Sequence, residues 1–118
     1  MTYNGTMKIE DIEALALVND NSDDAVGHRL EAARRAAGYQ TAKALADAMG
    51  ISYKTYHSQE AKGRPTRGTM NFLYKNHRID YNFILNGDVY HLPGAVRDAI
   101  EMALLFLDMF EERSSNSD

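Results

Sequence analysis

Apolar residues recur at helical spacing along most of the chain. Val26, Leu30, Ala33 and Ala37 follow one another at intervals of three or four residues, which is the period of one face of an α-helix. Similar patterns predict helices over residues 7–18, 24–37, 41–49, 52–59, 66–76, 81–85 and 93–112. Few β-branched residues and many Ala, Leu and Met also favour helix over strand.

Residues that start and stop helices mark the predicted boundaries. Capping side chains precede four of the helices and glycines follow three of them. The predicted N-caps are Asp24, Thr41, Ser52 and Asp80, and the terminating glycines are Gly38, Gly50 and Gly87. Connections this short fit only a compact bundle. We therefore expect an all-α fold, with five central helices, an added apolar C-terminal helix and a short N-terminal helical arm.

Composition excludes several classes of protein. With 118 residues the chain fits one compact domain with short appendages. It has no cysteine, which excludes disulfides, thiolate metal sites and cysteine nucleophiles and suits a reducing cytoplasm. Residues 1–5 show no basic-then-apolar signal pattern, and Asp98, Glu101 and Asp108 interrupt the longest apolar stretch. We expect neither a signal peptide nor a membrane span.

Charge is distributed unevenly along the chain. The net charge is -4, yet residues 27–79 contain ten basic and three acidic residues, whereas both flanks are acidic. A basic middle segment is a possible footprint for phosphates, although a solvated basic surface gives the same pattern. The ten basic residues are Arg29, Arg34, Arg35, Lys43, Lys54, Lys62, Arg64, Arg67, Lys75 and Arg78.

Residues 42–56 meet the steric requirements of a helix-turn-helix. Ala46 is small enough for two helices to cross closely, and Gly50 suits a turn position with positive φ. Ser52 begins the second helix with free N–H groups that face outward. Leu45, Met49, Ile51 and Tyr56 anchor the unit to the core. The exposed face of the second helix would then carry Tyr53, Lys54, His57 and Ser58.

The segment 45–52 (Leu-Ala-Asp-Ala-Met-Gly-Ile-Ser) resembles the LAxxxGxS core of the lambda-repressor/Cro-like (XRE-type) family of bacterial and phage regulators. Tyr56, followed by Glu60, Gly63 and Arg64, is similar to a phage-repressor-like subgroup with tyrosine in place of the usual Val or Ile. Residues 80–87 resemble the closing helix of the family. The chain departs from the pattern at Ala42, where the family often has Gln or Thr, and in a longer loop before it.

The resemblance implies double-stranded DNA as the partner, with the second helix of the motif in the major groove. The residues implied to face base edges are Tyr53, Lys54, His57 and Ser58. Those implied to hold phosphates are Gln40, Thr41, Ser52, Thr55, Lys62, Arg64 and Arg67. Lys54 is the best candidate for guanine, although a solvent-facing lysine is the alternative, and Tyr53 could pack sideways on the preceding helix. We interpret Glu60 as structural, bonding nearby backbone or Arg64.

The C-terminal helix is too apolar to remain uncovered. A seam at alternating four- and three-residue spacing predicts a homodimer interface, which would match a palindromic operator by two-fold symmetry. The alternative is packing on the chain's own core. The predicted interface residues are Val96, Ile100, Ala103, Leu104, Leu107 and Phe110.

The predicted organisation is an N-terminal arm and acidic linker (1–24), a helix-turn-helix DNA-binding domain (25–88), a dimerisation helix (89–113) and a disordered tail (114–118). The leading hypothesis is a cytoplasmic transcriptional regulator, a repressor of phage or mobile-element type. One rival is an antitoxin that covers a toxin with its N-terminal arm or C-terminal helix, and another is a protein-interaction module without DNA binding. No catalysis or cofactor is indicated, and the scattered histidines predict no metal site: His28, His57, His77 and His91.

Overall fold

The computed structural model describes the backbone of residues 7–116 and the side chains of residues 7–110. This part of the chain is all-helical, as predicted, with seven helices and no strand. The helices are α1 (Ile9–Leu15), α2 (Asp23–Ala36), α3 (Ala42–Met49), α4 (Tyr53–Lys62), α5 (Arg67–His77), α6 (Tyr81–Asn86) and α7 (Gly94–Asn116).

Most predicted helix starts are confirmed by their capping bonds. The side chains of Thr41, Ser52 and Asp80 each accept a hydrogen bond from the backbone N–H three residues later. The start of α2 differs, because its N-cap is Ser22 and not Asp24. The carboxylate of Asp20 accepts from the Ser22 N–H at 2.9 Å and thereby holds Ser22 in the extended conformation that a cap requires.

A single apolar core contains residues from both ends of the chain. Ile12 of α1, Leu30 of α2, Ile84 of α6 and Leu104 of α7 are all at most 2% exposed and belong to one packed cluster. The inner face of α1 therefore already packs on the rest of the molecule. Helix α7 packs along α2, which makes the C-terminal helix part of the same body.

The packing of α7 corrects the predicted dimer seam. Ile100, Ala103, Leu104 and Leu107 are buried in the chain's own core, and Val96 is half-buried against it. Their spacing does mark the apolar face of a helix, but α2 and α1 already cover that face. Of the six predicted interface residues only Phe110 is largely exposed, at 55%.

Two cations of the basic segment are buried. The guanidinium of Arg29 is fully buried and donates hydrogen bonds to the carbonyl oxygens of Ala16, Leu17, Asp20, Ile84 and Leu85 at 2.8–3.0 Å. Burial lowers the pKa of Arg29. Because all its donors are engaged with backbone, Arg29 joins the loop after α1 to α6 and offers nothing to a phosphate. Arg34 is buried as well, as described below.

The C-terminal helix continues further than the sequence pattern predicted. α7 extends to Asn116, into the segment 114–118 for which we expected disorder, and residues 117 and 118 lie outside the described residues. None of the helices in residues 7–116 combines the length and apolar content that a membrane crossing requires.

Candidate nucleic-acid interface

Helix α4 has one buried face and one exposed face, which we call the open face. Tyr56 is fully buried and Gln59 is 7% exposed, whereas Tyr53, Lys54 and His57 are all exposed. Ser58, the fourth predicted base-reading residue, is half-buried. The structure thus brings three of the four onto one outward surface.

The rings of Tyr53 and His57 lie together on this open face. Their centroids are 5.2 Å apart and the ring planes are inclined by 31°. Tyr53 is 48% exposed, so it stacks along its own helix and is not buried against α3. The contact between the two rings limits the rotamer freedom of both side chains before any ligand binds. Both side chains carry groups that can form hydrogen bonds.

A tight turn sets the angle between α3 and α4. Gly50 has φ 72°, the left-handed conformation that glycine adopts without steric cost, and the Ile51 N–H donates to the Ala46 carbonyl at 3.0 Å. Ala46 is fully buried where the two helices meet. These contacts confirm the predicted roles of Ala46, as the small residue where the helices cross, and of Gly50, as the turn residue with positive φ.

Arg34 of α2 fixes the buried face of α4. Its guanidinium donates to both carboxylate oxygens of Glu60, at 3.0 and 3.2 Å, and to the Tyr39 carbonyl at 2.8 Å. The hydroxyl of Tyr56 donates to the same carboxylate at 2.5 Å. Glu60 therefore bonds Arg34 and Tyr56, and our expectation that it bonds backbone or Arg64 is wrong.

The electrostatics of this cluster follow from its burial. Burial raises the pKa of Tyr56, and the adjacent charge of Glu60 raises it further, so the hydroxyl keeps the proton that it donates. Burial lowers the pKa of Arg34, but its hydrogen bonds to Glu60 and the charge of that carboxylate raise it by more, giving a net increase. The ion pair thus joins α2 to α4.

The far end of α4 is held against the start of α2. Gly63 has φ 66°, and a Cβ atom placed there would lie 1.7 Å from the Asp23 carbonyl oxygen, so only glycine fits. Arg64 forms an exposed ion pair with Asp23 at 3.2 Å. Gln59 accepts from the Thr66 N–H at 2.9 Å and ties α4 to the start of α5.

The predicted phosphate-contacting residues all lie on the surface. The list is Gln40, Thr41, Ser52, Thr55, Lys62, Arg64 and Arg67. The Ser52 and Thr55 hydroxyls are 2.8 Å apart, and Ser52 Oγ also accepts from the Thr55 N–H at 3.1 Å. Since one of the two hydroxyls donates to the other, the pair keeps one O–H free to donate outward.

Ion pairing reduces the basic surface further. Arg35 pairs with Glu31, Lys43 with Asp47 and Arg64 with Asp23. Within the described part of the basic segment, the exposed cations without an ion pair are Lys54, Lys62, Arg67, Lys75 and Arg78. The first three lie on α4 or at the start of α5.

An acidic groove borders the open face of α4. Sequence patterns do not predict it, because its carboxylates come from two helices that are distant along the chain. Asp23, Asp24, Glu31 and Glu60 line this groove of about 350 Å³ between α2 and α4, together with His57. Three of these carboxylates are ion-paired, Asp23 with Arg64, Glu31 with Arg35 and Glu60 with Arg34. The groove therefore carries less negative charge than its residue types alone suggest. In the described residues no group of three or more His, Asp or Glu side chains could hold a metal ion.

Comparison with known proteins adds no constraint to this picture. The chain matches no protein-family model, and neither a curated protein nor a solved structure shows significant similarity to it. The functional interpretation therefore rests on the geometry of α3 and α4 and on the motif resemblance.

Proposed function

We propose that this chain is a sequence-specific double-stranded DNA-binding transcriptional regulator, acting as a repressor of the lambda-repressor/Cro-like type. In this proposal α2 to α6 form the five-helix DNA-binding domain, α3 and α4 are its helix-turn-helix, and α4 is the recognition helix. The protein acts in the cytoplasm as a homodimer on a palindromic operator and has no catalytic role.

The observation that carries the proposal is the two-sided character of α4. A recognition helix needs side chains free to meet base edges and a scaffold that fixes their position. Tyr53, Lys54 and His57 supply exposed hydrogen-bonding groups, while Tyr56 and the Arg34–Glu60 pair fix the opposite face.

The dimensions of α4 suit a major groove. An α-helix with its side chains is about 10–12 Å across, and the major groove of B-DNA, about 12 Å wide, admits it. The 10 residues of α4 give it a length of about 15 Å along the groove. The Ser52–Thr55 hydroxyl pair at its start, Lys62 at its last residue and Arg67 at the start of α5 would then contact phosphates. Lys54, the second residue of α4, would read guanine through its ammonium group.

Selection of bound sequences from a random double-stranded DNA pool tests the proposal most directly. We expect enrichment of a palindromic site whose half-sites lie about one helical turn apart. Binding of that site should weaken with salt, with a slope of about -0.9 per phosphate neutralised in a plot of log K against log salt concentration. Failure to enrich any sequence at low salt, with a protein that is folded by circular dichroism, would refute the proposal.

A further inference from the structure

The outer face of α7 carries a stripe of large apolar side chains that the core does not cover. Met102, Phe106, Met109 and Phe110 are 52%, 43%, 57% and 55% exposed. Their spacing of four, three and one residues places them on one face of the helix, opposite the buried Leu104. The Phe106 and Phe110 rings pack together with centroids 5.0 Å apart. We call this stripe the α7 ridge.

A groove runs directly beside the α7 ridge. Small residues, Ala36 of α2 and Ala99 and Ala103 of α7, line this space of about 350 Å³, and Met102 and Phe106 form its wall toward the ridge. The ridge and the groove lie on one face, so a two-fold pair that brings this face against itself covers both of them on each copy.

The charge of this face also fits a second copy of the chain. Arg35 lies over the Phe106 ring at 4.9 Å, and its guanidinium pairs with Glu31 at 3.2 Å. Glu31, which also lies 3.7 Å from Arg34, and the exposed Asp98, one turn before Met102, offset its charge within the same chain. Two copies bring identical charges to a shared interface, so a surface that pairs with itself must be close to neutral.

The exposed surface supplies most of the area that a specific interface needs. Taking about 200 Å² for each whole side chain, the four exposed fractions leave about 400 Å² of apolar surface on each copy. The largest apolar patch on a soluble monomer is about 300–600 Å², and such a patch is often functional. Two copies would cover about 800 Å² with these side chains alone, and the residues around them would have to supply the rest of the roughly 1,000 Å² of a specific interface.

We infer that the α7 ridge and its groove are the interface at which two copies of this chain pair, with their α7 helices antiparallel and the two-fold axis near Phe106. In this arrangement Met102 of one copy lies against Phe110 of its partner, a favourable sulfur–aromatic contact. The inference rests on the homodimer of the proposed function, and it replaces the buried seam predicted from sequence with the opposite face of the same helix.

Sedimentation equilibrium of the full chain without DNA provides the first test. We expect the wild-type protein to have twice the mass of one chain, and the double variant Met102→Glu/Met109→Glu to have the mass of one chain with unchanged helicity. Tyr90→Glu is the matched control, because Tyr90 is 65% exposed and lies outside the ridge, and it should remain a dimer. A monomeric wild-type protein, whether its ridge is free, covered by residues 1–6 or reserved for another protein, would overturn the inference, as would a double variant that stays dimeric.

Disulfide cross-linking tests the inference even if the double variant fails to fold. The chain has no cysteine, so Phe106→Cys introduces a single thiol. A residue at a two-fold axis meets its own copy within the roughly 7 Å between Cα atoms that a disulfide tolerates. Mild oxidation should join most Phe106→Cys chains in pairs and leave Tyr90→Cys chains single. Equal yields for the two variants would overturn the inference.

These measurements contain no DNA, so they fail or succeed separately from the proposed function. A chain that pairs through the α7 ridge but binds no DNA sequence would retain this inference and lose the proposed function. A chain that binds its selected DNA site as a monomer would retain DNA binding and lose the inference.

Discussion

Arg34 of α2 and Glu60 of α4 form a buried ion pair with two hydrogen bonds of 3.0 and 3.2 Å. The same carboxylate accepts the Tyr56 hydroxyl, and the same guanidinium holds the Tyr39 carbonyl. One pair of side chains thus connects α2, the loop before α3 and the buried face of α4. In the proposed function this cluster fixes the angle at which α4 leaves the bundle.

Removal of Glu60 should be costly because the buried Arg34 guanidinium then keeps only the more distant Glu31 carboxylate, at 3.7 Å, as an ionic partner. Glu60→Ala is expected to lower the free energy of unfolding by about 3–5 kcal/mol, as measured by urea denaturation. Arg64→Ala breaks an exposed pair with Asp23 and should cost less than about 1 kcal/mol. Similar losses for the two variants would show that the Arg34–Glu60 pair does not support α4.

Arg29 holds the loop after α1 to α6. Replacing it with Met removes five hydrogen bonds to backbone carbonyls and should lower the free energy of unfolding by at least about 3 kcal/mol. The control is Arg35→Met, in which a half-buried arginine is replaced on the same helix. A stable Arg29→Met variant would mean that water or other donors satisfy these carbonyls.

Two glycines with the same backbone conformation should respond differently to alanine. Gly50→Ala adds a Cβ in open space, so it should cost only the left-handed conformation, about 1–2 kcal/mol. Gly63→Ala places the Cβ 1.7 Å from the Asp23 carbonyl oxygen and must displace the backbone of α2 or α4. We expect a clearly larger drop in melting temperature for Gly63→Ala, and equal drops would contradict the close packing of α4 on the start of α2.

Lys54 should affect sequence recognition more than general affinity. On the selected operator Lys54→Ala is expected to lose about 1–3 kcal/mol of binding free energy, and on random DNA much less. Lys75→Ala is the matched control, since Lys75 is also an exposed lysine without an ion pair but lies near the far end of α5. Equal losses on both DNAs would assign Lys54 to the phosphate backbone.

His77 should make the protein less stable as the pH falls. Burial lowers the pKa of His77, and its Nε2 lies 2.9 Å from the Tyr39 hydroxyl, in a hydrogen bond whose donor depends on the ring tautomer. The unfolded chain therefore binds this proton more readily than the folded one. The contribution is fully present above the unfolded-state pKa of about 6.5 and is lost as the pH falls through the lower folded-state pKa.

The variant His77→Gln keeps an acceptor for Tyr39 but cannot titrate. Urea denaturation at a series of pH values from 7.5 to about 4.5 should show a steeper loss of stability in the wild type than in this variant. Identical pH dependence in the two proteins would place the effect on other groups.

The sequence determined the local structure because its signals act within a few residues. The caps Thr41, Ser52 and Asp80 bond N–H groups three residues away, and Gly50 ends α3 through its own backbone angle. The exposed face of α4 follows from helical period once Tyr56 is taken as its anchor. These elements could therefore be predicted from residue types and spacing, as could the all-helical class.

The tertiary structure decided which partner each side chain meets across the molecule. Arg34 contacts Glu60, and Arg29 contacts Ile84, across long stretches of sequence. Because these partners are distant along the chain, the sequence pattern did not reveal them, and both arginines were counted in the basic segment. The spacing of apolar residues in α7 showed that the helix must be covered but could not show by what. Packing on α2 buries Leu104 and leaves Phe106 outside, because the fold of the whole chain, and not the helical period, selects the face that enters the core.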